Sequence, residues 1–236
     1  MLAFQSIISK YEILRTIFRL VGGEPRQFVI PAERSSFSLG RKTVSDLGAA
    51  IGECIAIEEM HRFDLATGPL LRVTLLRSET GEHALVTNLH HIVSDQWSNE
   101  LLLKECLSTY EMLMQGEFQE TPLRIQYKDY SCWQNKTASD PDFSVHRDYW
   151  LGRFGREIPV LDIHTDYARP SKGTFEGKTV QFKLNRATFS KLKHIGSRED
   201  ASTFMTLVSV INIVLYRLTG QQDVILGSGL SRPDRA

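Results

Sequence analysis

The chain lacks any imbalance of charge: 28 lysines and arginines face 28 aspartates and glutamates. No net field therefore recruits nucleic acid or an anionic membrane surface. Cysteine is scarce. Cys54, Cys106 and Cys132 are widely spaced and form neither a CxxC pair nor a zinc spacing, so the expectation is reduced thiols in a cytoplasmic setting. A long apolar run is missing as well. The most apolar window, "STFMTLVSVINIVLYRL" from Ser202 to Leu218, holds 17 residues and includes Ser, Thr, Asn and Arg217. A membrane span wants about 20 mostly apolar residues, so this window predicts a helix buried nearly all round. The opening "MLAFQSIISKYEILRTIF" has neither the apolar core nor the small-residue cleavage site of a secretory signal. No repeat or low-complexity tract is present.

What is there is ordinary globular material, 42% hydrophobic and 24% charged over 236 residues. That length suffices for one large domain or two lobes with cores. Ile7, Ile8, Tyr11, Leu14 and Phe18 stand near helical spacing and predict a helix from residue 1 to about 20. "RQFVIP" predicts a short strand closed by Pro31, and Asp46 to Glu59 a helix. "FDLATGPLLRVTLLRSETGEHALVTNLHHIV" reads as a hairpin with arms at 70–77 and 83–92 and its turn at Gly81. Leu102, Leu103, Cys106, Leu107 and Tyr110 then belong to a helix that Gly116 stops.

Two aromatic helices are expected at 125–135 and 143–155. After the loop "TDYARPSKG" come a strand ("TVQFKL"), a helix at 186–198, the apolar helix and a closing strand ("DVILGSG"). Mixed strands and helices of this kind point to an α/β layered fold. Pro170 to Gly173 marks the candidate lobe boundary.

The chemistry concentrates in "VTNLHHIVSDQWSNELLLKE". Side chains alternate across a strand, so Leu85, Thr87, Leu89 and His91 share one face, and Ala84, Val86, Asn88 and His90 the other. Adjacent strand residues cannot easily chelate one metal, and no other ligand stands at a suitable spacing. One histidine is expected to pack in the core and the other to face a cavity. Asp95 has two possible tasks: capping the helix that begins near Trp97, or forming an ion pair that fixes the loop. By spacing alone a histidine–aspartate pair reads as structural before catalytic.

Context changes that reading. "HHIVSDQWS" resembles the HHxxxDG signature of nonribosomal peptide synthetase condensation domains, which other chloramphenicol-acetyltransferase-like acyltransferases share. "KYEILRTIF" is similar to that family's RHExLRTxF, and "YKDYSCWQ" to its YxDYAxWQ. "FDLATGPLLRVTLL", "DIHTDYARP" and "FMTLVSVINIVLYRLTGQQDVILGSGLSRPDR" also resemble family stretches, in the family's order. The resemblance covers essentially the whole chain. The departures are specific. An SxAQxRLW-like opening and a (V/I)GxFVNT-like motif are missing, Gln96 stands where the signature has glycine, and Lys10-Tyr11-Glu12 replaces RHE. The chain looks like the middle half of a condensation domain.

The resemblance implies a chloramphenicol-acetyltransferase-like α/β (α+β two-layer) fold. Residues 1–170 would form an N-terminal lobe without its first segment, and 171–236 the truncated start of a similar second lobe. It also implies carrier proteins and other synthetase domains as partners, with neither nucleic acid nor membrane involved. The carriers would present acyl groups as phosphopantetheine thioesters, and the acceptor amine would attack the donor thioester to form an amide. No metal or diffusible cofactor is implied. His91, beside His90, would face the reaction centre. It would act as general base, typically worth about 10²–10⁴-fold, or would position the amine. Asp95 would be structural, with Arg15 as its ion-pair partner. Removing Arg15 from a buried pair should then cost on the order of 3–5 kcal/mol.

Lys10 and Gln96 would support the site. Gln96 is either a tolerated change with some loss of activity or the mark of a domain that no longer condenses. Tyr127, Tyr130, Trp133, Tyr149 and Trp150 read as core residues, and Asp129 as a turn or cap. Two other functions remain open: a non-catalytic remnant that docks a carrier protein, and a stand-alone acyltransferase using coenzyme A thioesters. The motif near Tyr127 argues against the second.

Overall fold

A computed structural model describes residues 1–155, 158–168, 170–171, 173 and 177–229. The chain divides into two compact units, Met1–Phe143 and Ser144–Ala236. The lobe boundary expected at Pro170 to Gly173 falls in a stretch that includes residues outside the described set.

The first unit opens with helix α1 (Leu2–Lys10), a single 3₁₀ turn over Glu12–Arg15, and the hairpin of β1 (Thr16–Val21) and β2 (Glu24–Val29). The helix expected to reach residue 20 therefore ends ten residues earlier. The apolar spacing carries on into Leu14 and Phe18, but Thr16 and Ile17 are β-branched. Gly22 and Gly23 follow with φ of 62° and 85°, and two positive-φ residues make a tight hairpin turn. That glycine pair was the signal for a hairpin.

Strand β3 (Leu39–Val44), helix α2 (Leu47–Glu59) and strand β4 (Leu71–Ser78) form a β–α–β unit, β3 lying parallel to β4. β5 (His83–Leu89) returns antiparallel, giving the order β3–β4–β5. β3 escaped the sequence reading because "LGRKTV" carries little apolar alternation. Asp46 caps α2 by accepting from the Ala49 amide at 3.0 Å.

Helix α3 (Gln96–Gln115) ends at Gly116, whose φ of 74° supplies the left-handed stop. α4 (Tyr127–Ala138) completes the α-helices of this unit. Ala3, Phe4, Ile7 and Ile8 of α1 pack with Leu71 and Val73 of β4 and Leu102 and Cys106 of α3. Strand alternation sends Arg72 and Asn88 to the opposite face, where they meet Glu58 of α2. The sheet is thus clad by helix on both faces.

The second unit holds α5 (Ser144–Phe154), α6 (Arg186–Arg198) and α7 (Thr203–Thr219). "TVQFKL" and "DVILGSG" form no strand, contrary to expectation. A strand exists by its ladder, and no other strand is present among this unit's described residues. α7 is likewise not buried all round: Phe204, Met205, Ile213 and Leu218 are all more than half exposed. Its composition is that of a core helix, yet no sheet covers it among the described residues. No single described helix is long and apolar enough to cross a membrane.

Candidate active site

β5 ends at Leu89, so His90 and His91 sit on the turn between strand and helix rather than within the ladder. Their division of labour nevertheless follows the strand's alternation. His90 faces inward. Its amide donates to Leu70 O at 3.1 Å, its Nδ1 accepts from the Ile92 amide at 3.0 Å, and its ring meets Phe63 edge-on at 5.8 Å. Accepting at Nδ1 fixes the neutral tautomer with the proton on Nε2. His90 is a turn-holding residue.

His91 is exposed and lines an open cleft of about 290 Å³ between the 3₁₀ turn, the β5–α3 turn and the start of α3. Its Nδ1 lies 3.3 Å from the carbonyl oxygen of Ser94. A carbonyl can only accept, so Nδ1 carries a proton toward it, and in the neutral ring Nε2 then keeps its lone pair. That is the form of imidazole a general base requires.

Asp95 caps α3. Its Oδ1 accepts from the Ser98 amide at 2.7 Å and from the Ser98 hydroxyl at 2.6 Å. These hydrogen bonds hold its carboxyl below the usual carboxylate range, and the nearby His91 adds to the effect. The expected ion pair between Asp95 and Arg15 is not formed. Arg15 spends its guanidinium on backbone carbonyls instead, donating to Ile8 O at 3.2 Å, Ile30 O at 2.7 Å and Ser9 O at 3.4 Å. Its carboxylate neighbour is Glu12, at 3.8 Å. An orphaned set of carbonyls behind α1 and a helix N-terminus without another cap each claim one partner, and so divide the pair.

Gln96 takes the first position of α3, and its amide reaches Glu100 at 3.4 Å on the exposed face. It does not line the cleft, and its backbone is not among the positive-φ positions. Glycine's conformational freedom is therefore not needed there.

Lys10 and Tyr11 converge on Glu105 of α3, at 2.8 and 2.5 Å. Burial first, and then the Glu105 carboxylate, pushes the Tyr11 hydroxyl well above its ordinary pKa. Gln126 clamps the same segment from α4. Its Nε2 donates to Lys10 O at 2.9 Å and its Oε1 accepts from the Glu12 amide at 3.1 Å. Lys128 adds an ion pair to Glu12 at 2.5 Å. The stretches "KYEILRTIF" and "YKDYSCWQ" are thus bound to one another. Asp129 accepts from the Gln126 amide at 2.8 Å and closes a capping box, as its position suggested. The aromatic positions differ from expectation: Tyr127, Trp133, Tyr149 and Trp150 are all more than half exposed, and Tyr127 forms a cleft wall. Gln126 and Glu105 were missed as supports of the site. Only the fold shows that they face residues about a hundred positions away.

Among the described residues no group of three His, Cys, Asp or Glu could hold a metal ion. The helix-clad sheet shares the chloramphenicol-acetyltransferase-like α/β fold of its structural neighbours. The chain belongs to the condensation domain family, whose model matches residues 1–234. It is 34% identical over 226 residues to Gramicidin S synthase 2 of Brevibacillus brevis, covering 96% of this chain and 5% of that protein. It is also 34% identical over 233 residues to Bacitracin synthase 2 of Bacillus licheniformis, covering 97% of this chain and 8% of that one.

Among solved structures, the X-domain from teicoplanin biosynthesis superposes with a TM-score of 0.82 at 20% identity, covering 92% of this chain and 48% of that one. The epimerization domain from the third module of tyrocidine synthetase B gives 0.77 at 19%, covering 93% and 50%. The chain therefore spans a small fraction of the curated synthetases it matches and about half of each of these two solved chains.

Proposed function

We propose that the chain forms amide bonds between carrier-bound thioesters in nonribosomal peptide synthesis. The observation that carries this is the placement of His91, whose ring lines the cleft with Nδ1 3.3 Å from Ser94 O, so that Nε2 is the nitrogen left for the amine. The acceptor's amine nitrogen attacks the donor's thioester carbonyl carbon. A C–N bond forms, the C–S bond breaks, and the amine proton passes to His91 Nε2 and on to the departing thiolate. Orienting the amine by the same hydrogen bond is a second contribution of that atom. Asp95 holds the turn as the cap of α3 and takes no proton. The thioester arms arrive on carrier proteins, so no diffusible cofactor is required. Carriers and neighbouring synthetase domains are the partners, in the cytoplasm.

The test combines the purified chain with a donor-loaded and an acceptor-loaded carrier protein and seeks the amide product by mass spectrometry. Product is expected, reduced about 10²–10⁴-fold in His91→Ala. Absence of product with intact, loaded carriers would refute catalysis and favour a carrier-docking remnant.

A further inference from the structure

We propose that the cleft beside His91 seats an uncharged, apolar side chain of an aminoacyl group being joined, with Trp97 and Leu101 as its specificity-determining walls. The inference rests on the amide-forming reading above and names its substrate class. It follows from an account of the polar side chains on the wall. The Tyr11 hydroxyl is bound to Glu105 at 2.5 Å, so its ring alone is offered to the cleft. Ser98 gives its hydroxyl to Asp95 at 2.6 Å, and Ser94 gives its own to His90 O at 3.4 Å. Asp95 bears the one formal charge on the wall, and that charge is spent at the positive end of α3.

Of these side chains, His91 Nε2 and the polar tips of Trp97 and Tyr127 remain unspent, set among aliphatic and aromatic carbon. A carboxylate entering here would meet Asp95 without a counter-charge. An ammonium would lose hydration to reach a carboxylate already hydrogen-bonded. A branched aliphatic or aromatic group loses nothing. The volume of about 290 Å³ lies at the small end of ligand sites and suits one aminoacyl unit. Trp97, 73% exposed, and Leu101, 42% exposed, contribute little to the core, so their large apolar surfaces on the cleft serve what enters it.

The test measures binding of leucyl, asparaginyl, aspartyl and lysyl N-acetylcysteamine thioesters by calorimetry, apart from any turnover. Leucyl and asparaginyl groups are nearly isosteric, so their ratio reads polarity rather than size. The leucyl thioester is expected to bind roughly 10-fold or more tightly than the asparaginyl one, and both charged thioesters more weakly still. Trp97→Ala, with unchanged circular dichroism, should lose about 10-fold for leucyl and little for asparaginyl; Leu101→Asn should narrow the ratio. Equal binding of all four, a preference for lysyl or aspartyl, or no binding would overturn the proposal. Selective binding by the unmodified chain with no product from loaded carriers would sink the catalytic reading and leave the apolar cleft standing.

Discussion

Arg72→Met tests the helix–sheet joint behind the histidine turn. Arg72 on β4 grips Glu58 of α2 with two hydrogen bonds, Nε to Oε2 at 2.8 Å and an Nη to Oε1 at 2.9 Å. Asn88, opposite Arg72 on β5, adds bonds to Glu58 O at 2.8 Å and Oε2 at 3.1 Å. The Glu58 side chain is 10% exposed and that of Arg72 40%. Stripping the partner from a fully buried carboxylate costs about 3–5 kcal/mol, whereas an exposed pair is worth about 0–1 kcal/mol. With one partner buried and the other two-fifths exposed, the expected loss is about 2 kcal/mol. For a urea m-value of about 2 kcal/mol/M this lowers the midpoint by about 1 M.

The pH dependence follows from the same contacts. The Arg72 hydrogen bonds, then those from Asn88, hold the Glu58 carboxyl below its ordinary value, against the opposing effect of burial. A depressed carboxyl contributes stability that is full above the unfolded glutamate value of about 4.3 and is lost as pH falls through the folded value. The gap between the unmodified chain and Arg72→Met should therefore be widest near neutrality and close under acid. Glu58→Leu combined with Arg72→Met should recover more than half of the loss, because no carboxylate is then left buried. A midpoint shift indistinguishable from zero at pH 7, or a gap that widens under acid, would refute this account.

Other perturbations probe the site and the second unit. Gln96→Gly should leave amide formation within a few-fold and cost up to about 1 kcal/mol of stability, since the residue is helical and faces away from the cleft; a large gain in rate would show that Gln96 obstructs the site. Asp95→Ala removes the cap of α3 and should cost about 1 kcal/mol in chemical denaturation, while a much larger loss would restore the case for a buried ion pair. Arg15→Ala should destabilise by about 1–3 kcal/mol through its unsatisfied carbonyls, equally in chains with and without Asp95. Gly196→Ala raises helix propensity yet should destabilise by about 1–3 kcal/mol, because its Cβ would lie 2.2 Å from Thr206 Oγ1; a more stable variant would place α6 and α7 farther apart.

Local chemistry was legible in the residues themselves. Gly81, Gly116 and the 3.6-residue period of α3 act within a few positions of their own chain, so turn, helix stop and helix follow directly from sequence. The alternation along β5 likewise foretold that one histidine would pack and the other would face a cavity. What sequence could not decide were contacts whose partners stand far apart and compete. Arg15 had a carboxylate available at Asp95 and carbonyls available at Ile8 and Ile30, and proximity in the fold awarded it the carbonyls. The apolar pattern of α7 and of "TVQFKL" records a tendency to be buried, and burial needs a covering surface that no residue supplies to itself. Tertiary structure alone decided which surfaces meet, because a hydrogen bond or a packed face is a property of two segments, and each segment's sequence specifies only its own half.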